Sequence, residues 1–288
     1  MKIVTIILCG GSGTRLWPIS TPSKPKQFCR INFDQTFLEM AIERAEKFSD
    51  DVYCLAPEKY SQYIPTKMIV EPEPRDTAAA ILHAAENVED DPYLVIMPSD
   101  HVMDDISHHV KTATTKSSIT LLGIKPSKPS TQYGYISHNN GKVCEFYEKP
   151  DSEKAQKFLQ NGYLWNSGIF MCRKSELIDL FRRYTDMCGQ KFHNRQKISF
   201  DYAIMEKMDD ANILTFSGNW TDYGNFEEFE KGHYAHVVHE ECDNVTIFSN
   251  VPVVVHGVDD LIIVNTEDGL LVKKRGKNSK HLVKKIIR

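Results

Sequence analysis

The chain has 288 residues, of which 41% are hydrophobic and 26% are charged, and its formal net charge is −4. These values are typical of a globular protein, and such a small net charge gives no sign of nucleic acid or a membrane surface as a partner. No run of about 18 apolar residues predicts a transmembrane helix, and no signal-peptide pattern opens the chain. A cytoplasmic location is therefore expected.

The seven cysteines stand singly, at positions 9, 29, 54, 144, 172, 188 and 242. Since no Cys-x-x-Cys pair occurs and the count is odd, neither a zinc site nor a disulfide framework is predicted. Reduced thiols agree with a cytoplasmic location.

The first predicted element is a strand over residues 3–9, which leads directly into the segment Gly10-Gly11-Ser12-Gly13-Thr14-Arg15. Glycines let the backbone turn tightly and approach a ligand closely, and the N–H groups of such a loop can line an anion site. Arg15 adds a forked cation that suits phosphate oxygens, and Lys26 adds a point charge. The pattern predicts a loop that holds a nucleoside triphosphate.

Two better-known glycine motifs do not fit this loop. The dinucleotide fingerprint G-x-G-x-x-G requires a sixth-position glycine where Leu16 stands, and no Gly-Lys-Ser/Thr of a P-loop follows. A plain turn between a strand and a helix is the alternative, but it would leave Arg15 and Lys26 without a role.

Strands and helices then alternate along the first third of the chain. Thr36 and Glu39 form a capping box that begins a helix, a second helix is predicted over 76–87, and strands are predicted over 52–56, 67–70 and 93–97. This order predicts an α/β fold with a mainly parallel sheet and helices on both faces. Ligands bind such sheets at the carboxyl ends of the strands, where Asp100 is a natural Mg²⁺ ligand.

The remaining predicted elements change character toward the C-terminus. Strands are expected over 119–124, 142–147 and 213–216, and helices from Ser152, over 174–184 and over 200–208, the last with apolar residues at core spacing. Short strands follow over 245–249, 251–258, 261–265 and 270–273. A terminal helix over 278–288 would place Leu282, Val283, Ile286 and Ile287 on one face. The predicted division is a catalytic domain over 1–235 and a small C-terminal β segment with a terminal helix over 236–288.

The glycine loop, its continuation Trp17-Pro18 and the phrase Pro25-Lys26-Gln27-Phe28 resemble the sugar-nucleotide nucleotidyltransferases. Within that family, the two continuations are most similar to the mannose-1-phosphate guanylyltransferases. The resemblance implies a Rossmann-like nucleotidyltransferase fold of the glycosyltransferase-A type.

The segment Glu71 to Ala78 resembles the part of the family that contacts the nucleotide base. The family usually has Asn where Asp76 stands, and an Asp at this position is also a good helix cap. The resemblance implies that the nucleotide is bound by Leu8, Gly10, Gly11, Gly13, Thr14, Arg15, Lys26, Arg75, Asp76 and Thr77.

Four later phrases also resemble the family, three of them its sugar-phosphate half and the fourth its second metal motif. They are Tyr133-Gly134-Tyr135, Glu148-Lys149-Pro150 and Trp165-Asn166-Ser167, followed by Trp220-Thr221-Asp222. The first three imply that mannose 1-phosphate is bound by Gly134, Glu148, Lys149 and Asn166. The last implies that Asp222 and Asp100 hold Mg²⁺.

The resemblance implies an enzyme that makes GDP-mannose and pyrophosphate from GTP and mannose 1-phosphate, with Arg15, Lys26, Asp100 and Asp222 as its catalytic residues. Two alternatives remain. One is a pyrophosphorylase for another pair, such as glucose 1-phosphate with dTTP or UTP, and the other is a non-catalytic regulatory subunit that binds nucleotide sugars. A homodimer is compatible with the sequence, and no nucleic-acid or membrane partner is expected.

Overall fold

The computed structural model describes residues 1–11, 14–31, 34–229 and 237–286. In chain order its strands are β1 (Ile3–Leu8), β2 (Asp51–Ala56), β3 (Lys67–Val70), β4 (Tyr93–Pro98), β5 (His101–Met103), β6 (Thr120–Ile124), β7 (Tyr135–Asn139), β8 (Lys142–Tyr147), β9 (Leu164–Arg173), β10 (Asn212–Phe216), β11 (Trp220–Asp222), β12 (Val237–Glu240), β13 (Thr246–Ser249), β14 (Val253–His256), β15 (Leu261–Thr266) and β16 (Gly269–Lys274). The α-helices are α1 (Phe37–Glu46), α2 (Asp76–Asn87), α3 (Ser107–Ala113), α4 (Ser152–Gln160), α5 (Lys174–Tyr184), α6 (Phe200–Ala203) and α7 (Lys280–Ile286). Short 3-10 helices are Thr14–Leu16, Lys26–Phe28, Glu58–Tyr63, Phe192–Asn194, Met205–Lys207 and Phe226–Glu228.

Nine strands form one mixed sheet in the order β3-β2-β1-β4-β9-β6-β10-β8-β7. The predicted α/β class is confirmed, and the four strands β3, β2, β1 and β4 are parallel, as expected. β9 interrupts this arrangement, because it runs antiparallel to both β4 and β6, and beyond it β10 is again parallel to β6. At the far edge, β7 and β8 form a hairpin through Asn140 and Gly141, whose φ values of 49° and 76° suit a tight two-residue turn.

Both faces of β1 are covered. Val4 and Ile6 belong to the same core cluster as Ile81 of α2. Thr5 and Ile7 point to the opposite face by strand alternation, and both are fully buried as well. Burial on both faces explains why the predicted strand is a continuous apolar run and not an alternating one.

The chain divides into two compact units. The first unit comprises Met1–Gly10, Ile42–Pro98 and Met103–Trp220, and it contains the nine-stranded sheet. The second unit comprises Gly11–Ala41, Ser99–Val102 and Thr221–Arg288. Position 235, the predicted domain boundary, lies outside the described residues, and the assignment of 1–235 and 236–288 as separate domains stays a prediction.

The second unit has its own hydrophobic core, which joins residues far apart in the sequence. Its buried members are Leu16, Cys29, Ile31, Phe37, Phe226, Phe229, Phe248, Ile262 and Val264. The C-terminal strands pair in parallel at an offset of sixteen residues, with Val237 opposite Val253 and Thr246 opposite Ile262. A final hairpin, β15–β16, is antiparallel.

One predicted helix is wrong in its extent, and the predicted apolar face of the terminal helix is largely exposed. The helix expected over 200–208 is only the four-residue α6, since the backbone at Ile204 (φ −129°) leaves the helical region before a 3-10 turn. In the terminal helix α7 only Val283 of the predicted apolar face is buried, while Leu282 and Ile286 are exposed. Ile287 lies outside the described residues.

All seven cysteines carry free thiols, in agreement with the sequence. Among the described residues, no helix has the length and apolar composition that crossing a membrane would require.

Candidate active site

The glycine loop begins where β1 ends, at Leu8. In the first unit, a Cβ at Gly10 would lie 3.4 Å from Oε2 of Glu71, a buried acid that the sequence analysis did not single out. Burial raises the pKa of Glu71 above its ordinary value. In the second unit, Gly11 has a φ of 95°, a conformation that favours glycine. Gly13 lies outside the described residues.

Past the loop, the 3-10 helix Thr14–Leu16 buries Leu16 and leaves Arg15 exposed. The Arg15 guanidinium lies close to Gly224, where an added Cβ would be 3.2 Å from Nη1 of Arg15 and 3.6 Å from Oδ2 of Asp222. Arg15 and Asp222 therefore approach the same glycine of the second unit, although the two residues are far apart in the sequence.

Lys26, Asp100 and Asp222 meet in the second unit. Nζ of Lys26 lies 2.9 Å from Oδ2 of Asp100 and 3.1 Å from Oδ1 of Asp222. It also donates a hydrogen bond of 3.1 Å to the carbonyl oxygen of Tyr223. Only 3% of the Lys26 side chain is exposed, so its charge is held almost entirely by these oxygens.

Local structure explains how these three side chains are held. Lys26 begins a 3-10 helix directly after Pro25, and the buried residues Gln27 and Phe28 hold this turn in place. Asp100 stands just before β5, and Asp222 is the last residue of β11, the strand that pairs with β5. Pairing of these two short strands therefore brings the two carboxylates close to each other.

Charge within this cluster shifts the pKa values of its members in opposite directions. Burial would raise the pKa of Asp100, but the charges of Lys26, His101 and Arg15 outweigh burial and hold it well below its ordinary value. Burial would lower the pKa of Lys26, but Asp100 and Asp222 raise it. Asp100 therefore stays ionised and Lys26 stays protonated, so that a carboxylate faces an ammonium group.

The same carboxylates fit a divalent cation. Ligand atoms of Asp100, His101 and Asp222 all lie within 4.8 Å of one another. Two carboxylates suit a hard cation such as Mg²⁺, which commonly takes its other ligands from substrate phosphates and water. The sequence analysis did not count His101 as a ligand, and its ring nitrogen would also suit a transition metal.

In the first unit, the predicted sugar-phosphate residues form a second cluster. The backbone N–H of Asn166 donates a 2.8 Å hydrogen bond to the carbonyl oxygen of Gly134. A Cβ at Gly134 would lie only 2.8 Å from Oε2 of Glu148, so glycine leaves room for that carboxylate. Nζ of Lys149, which is mostly exposed, donates a hydrogen bond to Glu148.

Asp201 also belongs to this cluster, although the sequence predicted only core packing for the stretch over 200–208. Nδ2 of Asn166 donates a 2.9 Å hydrogen bond to Oδ1 of Asp201. Burial and the charge of Glu148 raise the pKa of Asp201 to about 6. In the sequence, Asp201 stands among apolar residues at helical spacing, and that pattern is common in core helices.

The predicted base-binding residues make contacts within the first unit. Nη1 of Arg75 donates a 2.8 Å hydrogen bond to the carbonyl oxygen of Arg195. Oγ1 of Thr77 accepts a hydrogen bond of 2.8 Å from the Phe200 N–H. Asp76 has a φ of 64°, and its Oδ1 accepts a 2.8 Å hydrogen bond from the N–H of Thr77. Asp76 is the first residue of α2 and bonds the N–H of the next residue, whereas the N-cap of α2 is Arg75, so neither of the two roles considered for Asp76 is established.

A glycine loop after the first strand of a Rossmann-like α/β sheet, in a chain that also has a buried lysine held by two carboxylates, is typical of enzymes that act on phosphate groups. The nucleotidyl transferase family matches residues 4–237. The chain belongs to this family, and it is a nucleotidyltransferase, as the sequence predicted.

Similar proteins include the xanthan biosynthesis protein XanB of Xanthomonas campestris, 31% identical over 95% of this chain and 70% of its own length. A mannose-1-phosphate guanylyltransferase of Escherichia coli is 29% identical over 99% of this chain and 73% of its own length. Among solved structures, a Thermus thermophilus protein described as a mannose-1-phosphate geranyltransferase is 25% identical with a TM-score of 0.85, covering 100% of this chain and 98% of its own.

Proposed function

We propose that this nucleotidyltransferase makes GDP-mannose and pyrophosphate from GTP and mannose 1-phosphate. The observation that carries the proposal is the buried Lys26 ammonium held between Asp100 and Asp222, with Arg15 beside them. Such a cluster suits a triphosphate and its counter-ion. The choice of guanine and mannose is supported by the names of relatives such as the E. coli mannose-1-phosphate guanylyltransferase.

In the proposed reaction, a phosphate oxygen of mannose 1-phosphate attacks the α-phosphorus of GTP in line. The new P–O bond forms as the bond from the α-phosphorus to the bridging oxygen breaks, and pyrophosphate leaves with that electron pair. No protein nucleophile is needed, because the sugar phosphate is itself the nucleophile. Catalysis then depends on positioning and on stabilising the charge of the transition state.

Residues of the second unit would bind the triphosphate and neutralise its charge. Arg15 would neutralise the leaving pyrophosphate, and Lys26 would steady the α-phosphate as charge develops there. Asp100 and Asp222 would hold Mg²⁺, which when bound supplies further charge neutralisation to phosphate oxygens. The two carboxylates also keep the Lys26 ammonium charged and in place.

Residues of the first unit would hold the sugar phosphate. Each sugar hydroxyl can both donate and accept a hydrogen bond, so the carboxylate of Glu148 and the carboxamide of Asn166 are suitable partners. The exposed ammonium of Lys149 would meet the phosphate, and Gly134 leaves the space that Glu148 occupies.

The test is a matrix of four nucleoside triphosphates against mannose 1-phosphate and glucose 1-phosphate, with pyrophosphate release as the readout. We expect the highest kcat/KM for GTP with mannose 1-phosphate. The matched controls are Asp222→Asn, which should be nearly inactive, and Asp210→Asn, which changes an exposed carboxylate paired with Lys142 and should be fully active.

Two outcomes would overturn the proposal. A different pair with the highest kcat/KM would assign the enzyme to another sugar nucleotide. No pyrophosphate from any pair, together with calorimetric binding of GDP-mannose, would indicate a regulatory subunit.

A further inference from the structure

Asp201 places a carboxylate directly against a predicted sugar-binding residue. Its Oδ1 accepts the 2.9 Å hydrogen bond from Nδ2 of Asn166. Glu148 is close enough for its charge to act on Asp201, and Lys149 acts on it with the opposite sign. All of these residues belong to the first unit.

Helix capping does not account for this contact. The N-cap of α6 is Ser199, whose hydroxyl accepts the N–H of Tyr202 at 3.3 Å. The fully buried Phe200 anchors the helix, and its N–H is bound by Thr77. The start of α6 is therefore fixed without the Asp201 side chain, which is directed at Asn166 instead.

The hydrogen bonds around Asn166 leave its carboxamide a single orientation. Oδ1 of Asn166 accepts a 3.0 Å hydrogen bond from the N–H of Gly168, so the nitrogen must face Asp201. Gly168 makes this possible with a φ of 69°, a conformation that side chains rarely allow. After these bonds, one N–H of Nδ2 and one lone pair of Oδ1 remain for a ligand.

We propose that Asp201 is a positioning residue, which acts through Asn166 to present that remaining N–H and lone pair to one ring hydroxyl of the sugar phosphate. The proposal rests on the proposed function only in taking a hexose 1-phosphate as the ligand. An asparagine without this partner could rotate, and a ring hydroxyl would then meet the carboxamide in more than one orientation.

The experiment is a double-mutant cycle of Asp201→Ala, Asn166→Ala and both together, with KM and kcat measured for mannose 1-phosphate. Each single change should raise the KM for mannose 1-phosphate roughly tenfold, the effect of losing one good hydrogen bond. The double variant should be little worse than either single one, because both changes remove the same contact. The KM for GTP should stay within about twofold.

Two further variants separate positioning from folding and from charge. Asp201→Asn keeps an oxygen that can accept from Asn166, and its KM should rise less than that of Asp201→Ala. The matched control is Glu206→Gln. It removes another carboxylate whose pKa is raised by the charge of Glu148, but one without a hydrogen bond to Asn166 among the described residues. If Asp201→Ala does not fold, Asp201→Leu, which keeps the number and branching of the side-chain heavy atoms but has no acceptor, replaces it in the cycle.

A second readout uses monodeoxy analogues of mannose 1-phosphate, with binding measured by calorimetry. The wild type should bind the analogue that lacks the Asn166-bound hydroxyl roughly tenfold more weakly than the parent sugar. The Asp201→Ala and Asn166→Ala variants should both bind this analogue about as well as they bind the parent sugar phosphate, and the hydroxyl concerned should be the same for the two variants.

Fully additive effects in the cycle, or a loss of kcat with an unchanged KM for the sugar phosphate, would overturn the inference. A wild type that prefers glucose 1-phosphate would instead contradict the proposed function alone. In that case the same cycle with glucose 1-phosphate tests Asp201.

Discussion

The charge of Lys26 depends on the two carboxylates beside it. A lysine with 3% of its side chain exposed would tend to lose its proton, yet Asp100 and Asp222 keep its pKa above the ordinary value. Replacing either carboxylate by an amide removes part of this support and one candidate metal ligand at the same time. The two aspartates are therefore expected to act as a unit.

We predict that Asp100→Asn and Asp222→Asn each lower kcat by roughly a hundredfold or more, and that the double variant is little worse than the poorer single one. Activity should also be lost in EDTA and restored by Mg²⁺. Circular dichroism checks that each variant is folded. Effects that multiply in the double variant, or full activity in EDTA, would contradict the shared role.

The carboxylate of Asp201, which is expected to position Asn166 for the sugar, should also lower the stability of the fold when it is ionised. Its pKa is raised from 3.8 to about 6 by burial and by Glu148. An acid whose pKa is higher in the folded than in the unfolded state stabilises the fold while the pH is below the unfolded pKa. This contribution is lost as the pH rises from about 4 to about 6. Above that range, the ionised carboxylate in its buried place reduces the free energy of unfolding.

Asp201→Asn cannot ionise, so its stability relative to the wild type should grow as the pH rises. From pH 5 to pH 7.5 we expect a gain of about 1 kcal/mol over the wild type. Urea unfolding at both pH values measures this difference, with Asp179→Asn on the surface of α5 as the control. A constant difference at the two pH values would show that Asp201 does not titrate in this range.

The site residues that could be predicted are those whose sequence pattern lies within a few neighbouring positions. Arg15 and Lys26 stand in recognisable phrases, and Asp100 and Asp222 each follow or end a strand. The hydrogen bond between Asn166 and Asp201 spans 35 positions in the sequence, and it depends on where a four-residue helix is placed. Nothing in the spacing of the sequence carries that information.

Helix beginnings were easier to predict than helix ends. Thr36 and Glu39 make both bonds of the predicted capping box, with the Glu39 N–H donating to Oγ1 of Thr36 at 3.1 Å and the Thr36 N–H to Oε2 of Glu39 at 2.6 Å. This motif is contained in four residues. By contrast, α6 ends at Ala203 although its apolar spacing continues through Met205, because packing and not periodicity decides where the backbone turns.

The capping box gives a prediction for α1. Thr36→Ala removes the acceptor for the Glu39 N–H and should lower the free energy of unfolding by about 1 kcal/mol. Urea denaturation measures the change, and Thr112→Ala, whose hydroxyl donates to the carbonyl oxygen of His108 within α3, is the control. An unchanged midpoint for Thr36→Ala would show that other contacts hold the start of α1.

At the scale of the whole molecule, the C-terminal strands are part of a core that the sequence did not predict. Phe248, Ile262 and Val264 pack in the same cluster as Leu16 and Phe37. Their apolar pattern identified them as strands, but it could not identify their partners more than two hundred residues earlier.

We therefore predict that a chain ending at residue 229 is inactive and that its second unit is unfolded, since Leu16 and Phe37 would lose their core partners. Amide hydrogen exchange should find residues 14–31 unprotected in the truncated chain and protected in the full one. Wild-type activity of the truncated chain would show that the C-terminal strands are an independent appendage.

That shared core also has a consequence for the order in which the protein is made. Synthesis proceeds from the N-terminus, and domains generally fold as units when their last residues emerge. The segment with Arg15 and Lys26 is among the first to leave the ribosome, but three of its core partners lie between residues 248 and 264. The segment that contains Arg15 and Lys26 therefore stays without its complete core through most of translation, and it acquires its full packing only when the last strands appear.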